Sequence, residues 1–218
     1  MAIEVDLVRH GESIFNALGI YQGASQDSSL SETGIRQAEN LARKLALRNY
    51  AGIYSSPLKR ALNTARIIRQ KQPHPPLIYT EEWLKELDHG DIGSMRVRDI
   101  KKNYPNEWDL WKRAPAKTSP HFPGGQILPQ EAEMACKRLN FLISLWGNGS
   151  KILIVSHGAK IKIIVMKILN CLPSFHSLVI KNCGLITLSF SEKMPCHGRP
   201  PIYDIKVLMG ENFGEDVI

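Results

Sequence analysis

The 218 residues, 43% of them apolar, are enough chain to bury a full core and suit one α/β domain or a domain carrying a cap. No apolar run approaches the roughly 18 residues of a membrane helix, and Met1 leads into a strand, not a charged n-region and apolar h-region, so a soluble, cytoplasmic protein is expected. The net charge of +7 draws anions, but the basic residues are scattered, with no block of five and no aromatic ladder, which argues against nucleic acid.

The first strand is predicted over residues 2–8 and runs into Arg9, His10 and Gly11. A polar loop through Tyr21, Gln22, Gly23 and Asp27 leads to Ser31, a residue type suited to an N-cap. From there Ile35, Ala38, Leu41, Ala42 and Leu45 recur at helical spacing, with Arg36, Glu39, Arg43 and Lys44 opposite. That pattern predicts an amphipathic helix lying on a sheet. A short strand over residues 52–54 meets Ser56 and Pro57, read as the N-cap and first helical position of a second helix. Leu58, Ala61, Leu62, Ala65 and Ile68 form its buried stripe, and by spacing alone Arg60, with Arg66 and Arg69, belongs to the solvated face. Pro73, Pro75 and Pro76 end it.

Residues 80–130 lose this regularity. Trp83, Trp108 and Trp111 sit among charges, and Pro105, Pro115, Pro120, Pro123 and Pro129 break every helix early. We read a cap insertion covering the sheet edge, whose aromatic residues more often pack a cap than stack on a ligand. A helix follows over residues 130–146, with Ala132, Ala135, Leu139, Leu142 and Trp146 on one face. Then come a strand over 151–155, a helix over 159–169, and strands near 185–190 and 202–208. The alternation predicts an α/β fold, a three-layer αβα sandwich with a mostly parallel sheet and a small helical cap insertion, in a single domain over residues 1–218. Cys136, Cys171, Cys183 and Cys196 show neither CxxC spacing nor paired histidines at metal-ligand intervals, so reduced thiols are expected and no metal site.

Two distant stretches share one grammar. IEVDLVRHG at residues 3–11 and KILIVSHG at 151–158 are each an apolar run of strand length, a polar residue, then His-Gly. Ligands of open α/β sheets bind outside the carboxyl ends of strands, so His10 and His157 are expected over one sheet edge. With Arg9 and Arg60 they make a cationic pocket whose natural occupant is a phosphoryl group. A histidine just past a strand end is fixed by the backbone, as in-line attack on phosphorus requires. A guanidinium grips two phosphate oxygens, glycine lets a ligand approach the backbone, and a helix start after His157 is itself an anion site. For His10 to attack, Nε2 must be bare and Nδ1 must donate its proton to an acceptor that the sequence does not identify.

The chain resembles the histidine phosphatase superfamily, also called phosphoglycerate-mutase-like. The resemblance rests on LVRHGESxxN at 7–16, LSETGIRQAENLARKL at 30–45, SSPLKRALNTARII at 55–68, LKELDHG at 84–90, PGG at 123–125 and ILIVSHG at 152–158, in the family's order. It implies that His10 is the nucleophile that becomes phosphohistidine and that Arg9, Arg60 and His157 complete the phosphate pocket. Asn16 and Gln22 are added as phosphate-binding residues, and Glu86 is the implied proton donor, with Asp88 or Asp91 as fallback. The implied enzyme is a metal-independent phosphomonoesterase with no cofactor, acting on a phosphorylated small molecule as a monomer or homodimer. A cofactor-dependent phosphoglycerate mutase and a phosphate-dependent binding protein are the alternatives.

The chain also departs from the family pattern. Gly90, Asp91, Ile92, Gly93 and Ser94 follow the acid block where many members read Gly-Asp/Glu-Trp-Glu-Gly, and Gln126 and Ile127 follow Pro-Gly-Gly where many carry Glu-Ser. Lys160 follows the second His-Gly pair and either adds positive charge at the rim or faces solvent. His74, His89, His121, His176 and His197 are expected at the surface, with His89 the first exception to look for because it neighbours Glu86.

Overall fold

A computed structural model describes residues 2–113, 122–169, 178–193 and 202–209. In chain order the elements are β1 (Ile3–Arg9), α1 (Ile14–Ala17), α2 (Glu32–Lys44), β2 (Gly52–Ser55), α3 (Lys59–Gln70), β3 (Ile78–Thr80), α4 (Val97–Asn103), α5 (Pro105–Arg113), α6 (Leu128–Ser144), β4 (Lys151–Ser156), α7 (Gly158–Ile168), β5 (Leu185–Lys193) and β6 (Ile202–Met209). The six strands form one sheet in the order β3-β2-β4-β1-β5-β6. The pairs β2·β3, β2·β4 and β1·β4 are parallel, and β5 runs antiparallel to both β1 and β6.

The period-2 alternation of the strands builds three layers. Val5 and Leu7 of β1 and Ile152 and Ile154 of β4 enter one apolar cluster with Leu139 and Ile143 of α6 and Ile161 and Ile164 of α7. Val8, Ile53, Leu153 and Val155 point the other way and meet Ala38, Leu41 and Ala42 of α2 and Ala61 and Ala65 of α3. Asp6, inside the apolar run of β1, is buried, which is tolerable because Tyr50 and Thr187 each donate a hydroxyl to it at 2.5 Å. Among the described residues no helix is long and apolar enough to cross a membrane.

Several expectations shift by a residue or two, for identifiable reasons. The buried stripe of α2 starts at Gly34, and Ile35 is 41% exposed. The first turn of α2 lies directly on the loop after β1, and an ideal Cβ on Gly34 would sit 1.9 Å from the Glu12 carbonyl oxygen. The α3 N-cap is Leu58, not Ser56, so Pro57 precedes the helix. Ser56 turns its hydroxyl to within 2.8 Å of His157 Nε2. Arg60 and Thr64 join the buried face of α3, so Arg60 is not the solvated residue its spacing suggested. The three-residue edge strand β3 carries no alternation that sequence inspection could detect.

The segment between β3 and α6 packs Leu87, Ile92, Ile100, Trp108 and Phe122, together with Leu128 at the start of α6, against Ile163 and Met166 of α7. Pro105 starts α5, since its missing N–H costs nothing at a first helical position. Trp83 belongs to the main core. His74 is exposed, whereas His89 is buried with its ring 4.9 Å from that of Tyr21. Among the described residues Cys136 and Cys183 are free thiols. His121, Cys171, His176, Cys196 and His197 lie outside the described residues.

Candidate active site

The register of the two central strands brings the histidines together. β1 and β4 are paired in parallel from Glu4↔Lys151 to Arg9↔Ser156, so His10 and His157 leave adjacent strands at the same level. β1 leads to β2, beyond β4, and β4 leads to β5, beyond β1. The chain therefore departs in opposite directions here, which opens a crevice at the carboxyl ends of the strands. The two imidazole centroids are 5.0 Å apart with planes at 61°.

His10 is 3% exposed, and its Nδ1 lies 2.7 Å from the Gly11 carbonyl oxygen. That oxygen only accepts, so Nδ1 carries the proton and Nε2 of the neutral ring is bare. Burial, then Arg60 and Arg9, push the His10 pKa well down, which favours this neutral form. The acceptor that the sequence does not identify is thus the carbonyl of the next residue, Gly11. Gly11 itself is required by helix packing, since an ideal Cβ there would meet the Gly34 carbonyl oxygen at 2.5 Å.

His157 is fully buried, and its Nδ1 has no partner among the described residues. Burial, Arg60, His10, Arg9 and Lys160 all push its pKa down. Arg60 reaches in from α3, donating from Nη1 to the Gln26 carbonyl at 2.8 Å and from Nη2 to that of Gly23 at 3.4 Å, while its buried Nε has no partner among the described residues. Burial lowers its pKa to about 10. Arg9 donates from Nη1 to the Ile180 carbonyl at 2.6 Å, and its Nε would lie 3.4 Å from a Cβ on Gly158. That is an ordinary van der Waals distance, so the guanidinium packs against the start of α7 without requiring glycine there.

Glu86 sits on the same helix start. The N-cap His157 provides no side-chain cap, and Glu86 satisfies the exposed amides instead. Its Oε1 accepts from Lys160 N at 3.1 Å and Leu87 N at 2.9 Å, and its Oε2 from Ala159 N at 3.2 Å. Arg9, His10, Arg60 and His157 converge, and Glu86 flanks them.

Asn16 and Gln22 are engaged in the loop framework. Asn16 closes the α1 capping box by accepting from Ser13 N at 3.2 Å, and Gln22 donates to Ser13 Oγ at 2.6 Å and accepts from Ser28 Oγ at 2.8 Å. Asp88 accepts from Gly90 N at 3.0 Å, and Asp91 is exposed. Sequence reading did not single out Ser56, Thr64, Gln37, Asn182 or Lys162 as site residues. Lys162 lies one turn beyond Gly158 on α7; burial and Arg9 lower its pKa to about 8, against an upward pull from Glu86. A second lysine two residues after Lys160 was the available signal. Among the described residues no three His, Cys, Asp or Glu side chains gather as metal ligands.

The buried guanidinium of Arg60 and the half-buried one of Arg9, around two imidazoles whose neutral form burial favours, are electrostatically complementary to a compact dianion. The profile of the histidine phosphatase superfamily (branch 1) matches residues 5–196. The chain belongs to this superfamily. Among its relatives this histidine phosphatase superfamily member is 38% identical over 126 residues to phosphoserine phosphatase 1 of Hydrogenobacter thermophilus, covering 58% of this chain and only 57% of that protein. It is 31% identical over 194 residues to a probable phosphoglycerate mutase, GpmB, of Yersinia pestis, covering 87% of this chain and 86% of the relative. The fold matches a phosphoserine phosphatase of Entamoeba histolytica, solved in complex with 3-phosphoglyceric acid, with a TM-score of 0.74, 26% identity and coverage of 96% and 98%.

The buried imidazoles of this superfamily member make its stability depend on pH. His10, His157 and His89 all have folded pKa values lowered by burial, so below about pH 6.5 the unfolded chain binds protons that the folded chain refuses. Stability is then full above that pH and lost as pH falls toward the lowered values, by about 1 kcal/mol per pH unit for each group. Denaturant melts between pH 7.5 and 5 are expected to show this decline. Inorganic phosphate, by giving the cations a counter-charge, is expected to reduce it. A flat profile would show that the rings are not held neutral.

Proposed function

We propose that the protein is a phosphomonoesterase that hydrolyses a small phosphorylated metabolite through a phosphohistidine on His10, with Glu86 as the proton donor. The observation that carries this reading is the 2.7 Å contact of His10 Nδ1 with the Gly11 carbonyl, which leaves Nε2 as the bare nitrogen of a ring packed against His157.

In the first displacement the Nε2 lone pair attacks phosphorus, the P–O ester bond breaks, and the departing oxygen takes the proton of Glu86. Oε2 carries that proton, because it accepts one backbone bond where Oε1 accepts two. The phosphorylated ring keeps its Nδ1–H and becomes cationic, and the Gly11 carbonyl stabilises that charge. In the second displacement water attacks phosphorus, Glu86 takes its proton, and the P–N bond returns its electrons to Nε2. Arg9, Arg60 and His157 bind the equatorial oxygens, the role a divalent cation fills in other phosphoryl-transfer sites. Asn16 and Gln22 support this pocket through Ser13.

Purified protein is expected to release phosphate from p-nitrophenyl phosphate and to keep doing so in EDTA. A panel of phosphorylated metabolites ranked by kcat/KM then identifies the substrate class. The similarity to a probable phosphoglycerate mutase supports one second reading, a cofactor-dependent mutase. Turnover of 3-phosphoglycerate to its isomer that depends on added bisphosphoglycerate, without net phosphate release, would establish it. Loss of all release in EDTA would overturn the metal-independent mechanism.

A further inference from the structure

Every backbone polar group around the nucleophile has a partner, and one of those partners is wired to the imidazole. The peptide joining His10 to Gly11 donates its N–H to Thr64 Oγ1 at 3.0 Å, and its carbonyl accepts from Asn182 Nδ2 at 3.0 Å. The next peptide, between Gly11 and Glu12, accepts the His10 Nδ1 proton on its carbonyl at 2.7 Å and donates its N–H to Gln37 Oε1 at 2.9 Å. Gln37 lies on α2, 25 residues away in sequence from Glu12.

We propose that Gln37 is a positioning residue that sets the tautomer and nucleophilicity of His10 through the Gly11–Glu12 peptide. A hydrogen bond to a peptide N–H makes the carbonyl of that peptide a stronger acceptor, because the two ends of the amide polarise together. The chain Gln37 Oε1, Glu12 N–H, Gly11 C=O, His10 Nδ1–H thus holds the proton on Nδ1 and electron density on Nε2. It also fixes the plane of the peptide, and a rotation of that plane would swing the acceptor away from the ring. Packing locks α2 in place, since the Gly34 and Gly11 contacts admit no Cβ. Ser31 adds a clamp, donating its N–H to the Glu12 carbonyl at 2.9 Å and its hydroxyl to Glu12 Oε1 at 2.6 Å.

The catalytic consequence rests on the phosphohistidine reading, whereas the tautomer does not, and the test separates them. The experiment compares wild type with Gln37→Met, which keeps length and loses the acceptor, and Gln37→Glu, which keeps the acceptor. Nitrogen-15 NMR of the His10 ring above its pKa is expected to show Nδ1–H alone in wild type and in Gln37→Glu, and a mixture of tautomers in Gln37→Met. Phosphorylation of the enzyme in a single turnover is expected to slow about tenfold in Gln37→Met with KM within about twofold, and to recover in Gln37→Glu. Gln37→Ser, too short to reach Glu12, guards against misfolding of the methionine variant and is expected to behave like it. Wild-type tautomer and rate in folded Gln37→Met or Gln37→Ser would overturn the proposal. A tautomer shift in a protein without phosphatase activity would keep it and remove the phosphatase reading.

Discussion

Replacing His10 by alanine is expected to lower kcat/KM for a phosphate monoester by at least about four orders of magnitude, because it removes the atom proposed to bond to phosphorus. What survives is binding by Arg9, Arg60 and His157 with water as a poor nucleophile. Wild-type protein quenched during turnover of a labelled monoester should carry label that is stable in alkali and lost in acid, the behaviour of a phosphoramidate, and His10→Ala should carry none. Folding should survive, since the ring is held neutral and donates only to the neighbouring carbonyl. A folded alanine variant retaining more than about a hundredth of wild-type turnover would exclude His10 as nucleophile.

Glu86→Gln is expected to separate the two displacements. With an alkyl phosphate, whose alkoxide cannot leave unprotonated, kcat should fall by about 10²–10⁴. With p-nitrophenyl phosphate the phenolate leaves unaided, so the first step should persist while hydrolysis, which needs the carboxylate as base, stalls. The signature is a burst of one equivalent of p-nitrophenolate and an accumulating phosphoenzyme. The carboxamide can keep the two bonds at Oε1 but turns an N–H₂ toward Ala159 N, so a stability loss of about 1 kcal/mol should accompany the change. Equal losses with both substrates and no burst would take the proton-donor role from Glu86. Asp88 and Asp91 are placed less well for it, the first bonded to Gly90 N and the second exposed.

The strands and most helices were legible because burial imposes a period on them. Leu7, Ile152 and Ile154 face one layer, and Val8, Leu153 and Val155 the other, and alternating apolar runs encode that arrangement. Arg60 was not legible from its spacing, since a guanidinium among Arg66 and Arg69 reads as solvated until the crevice beside it is known. The block SSPLKRA supplied what periodicity could not. Ser56 suits a helix cap by residue type, but its nearer partner in space is His157, 101 residues away. Gln37 lies within the block LSETGIRQAENLARKL, but periodicity shows it only as one polar residue of an amphipathic helix. His89 carried a partial signal, its closeness to Glu86.

The sequence by itself determined the order of the main strands and helices, the amphipathic faces, the twin His-Gly strand ends and the cationic character of whatever they form. These follow from local periodicity and residue chemistry, which act over a few residues. Tertiary structure alone decided that β1 and β4 are neighbours in register, that Glu86 caps α7, and that the Gly11 carbonyl and Gln37 stand behind the His10 ring. Those outcomes depend on strand order and helix docking, where groups as far as 181 residues apart meet within hydrogen-bond distance. No local pattern records such distances, because the energy that fixes them is released only when both layers close on the sheet.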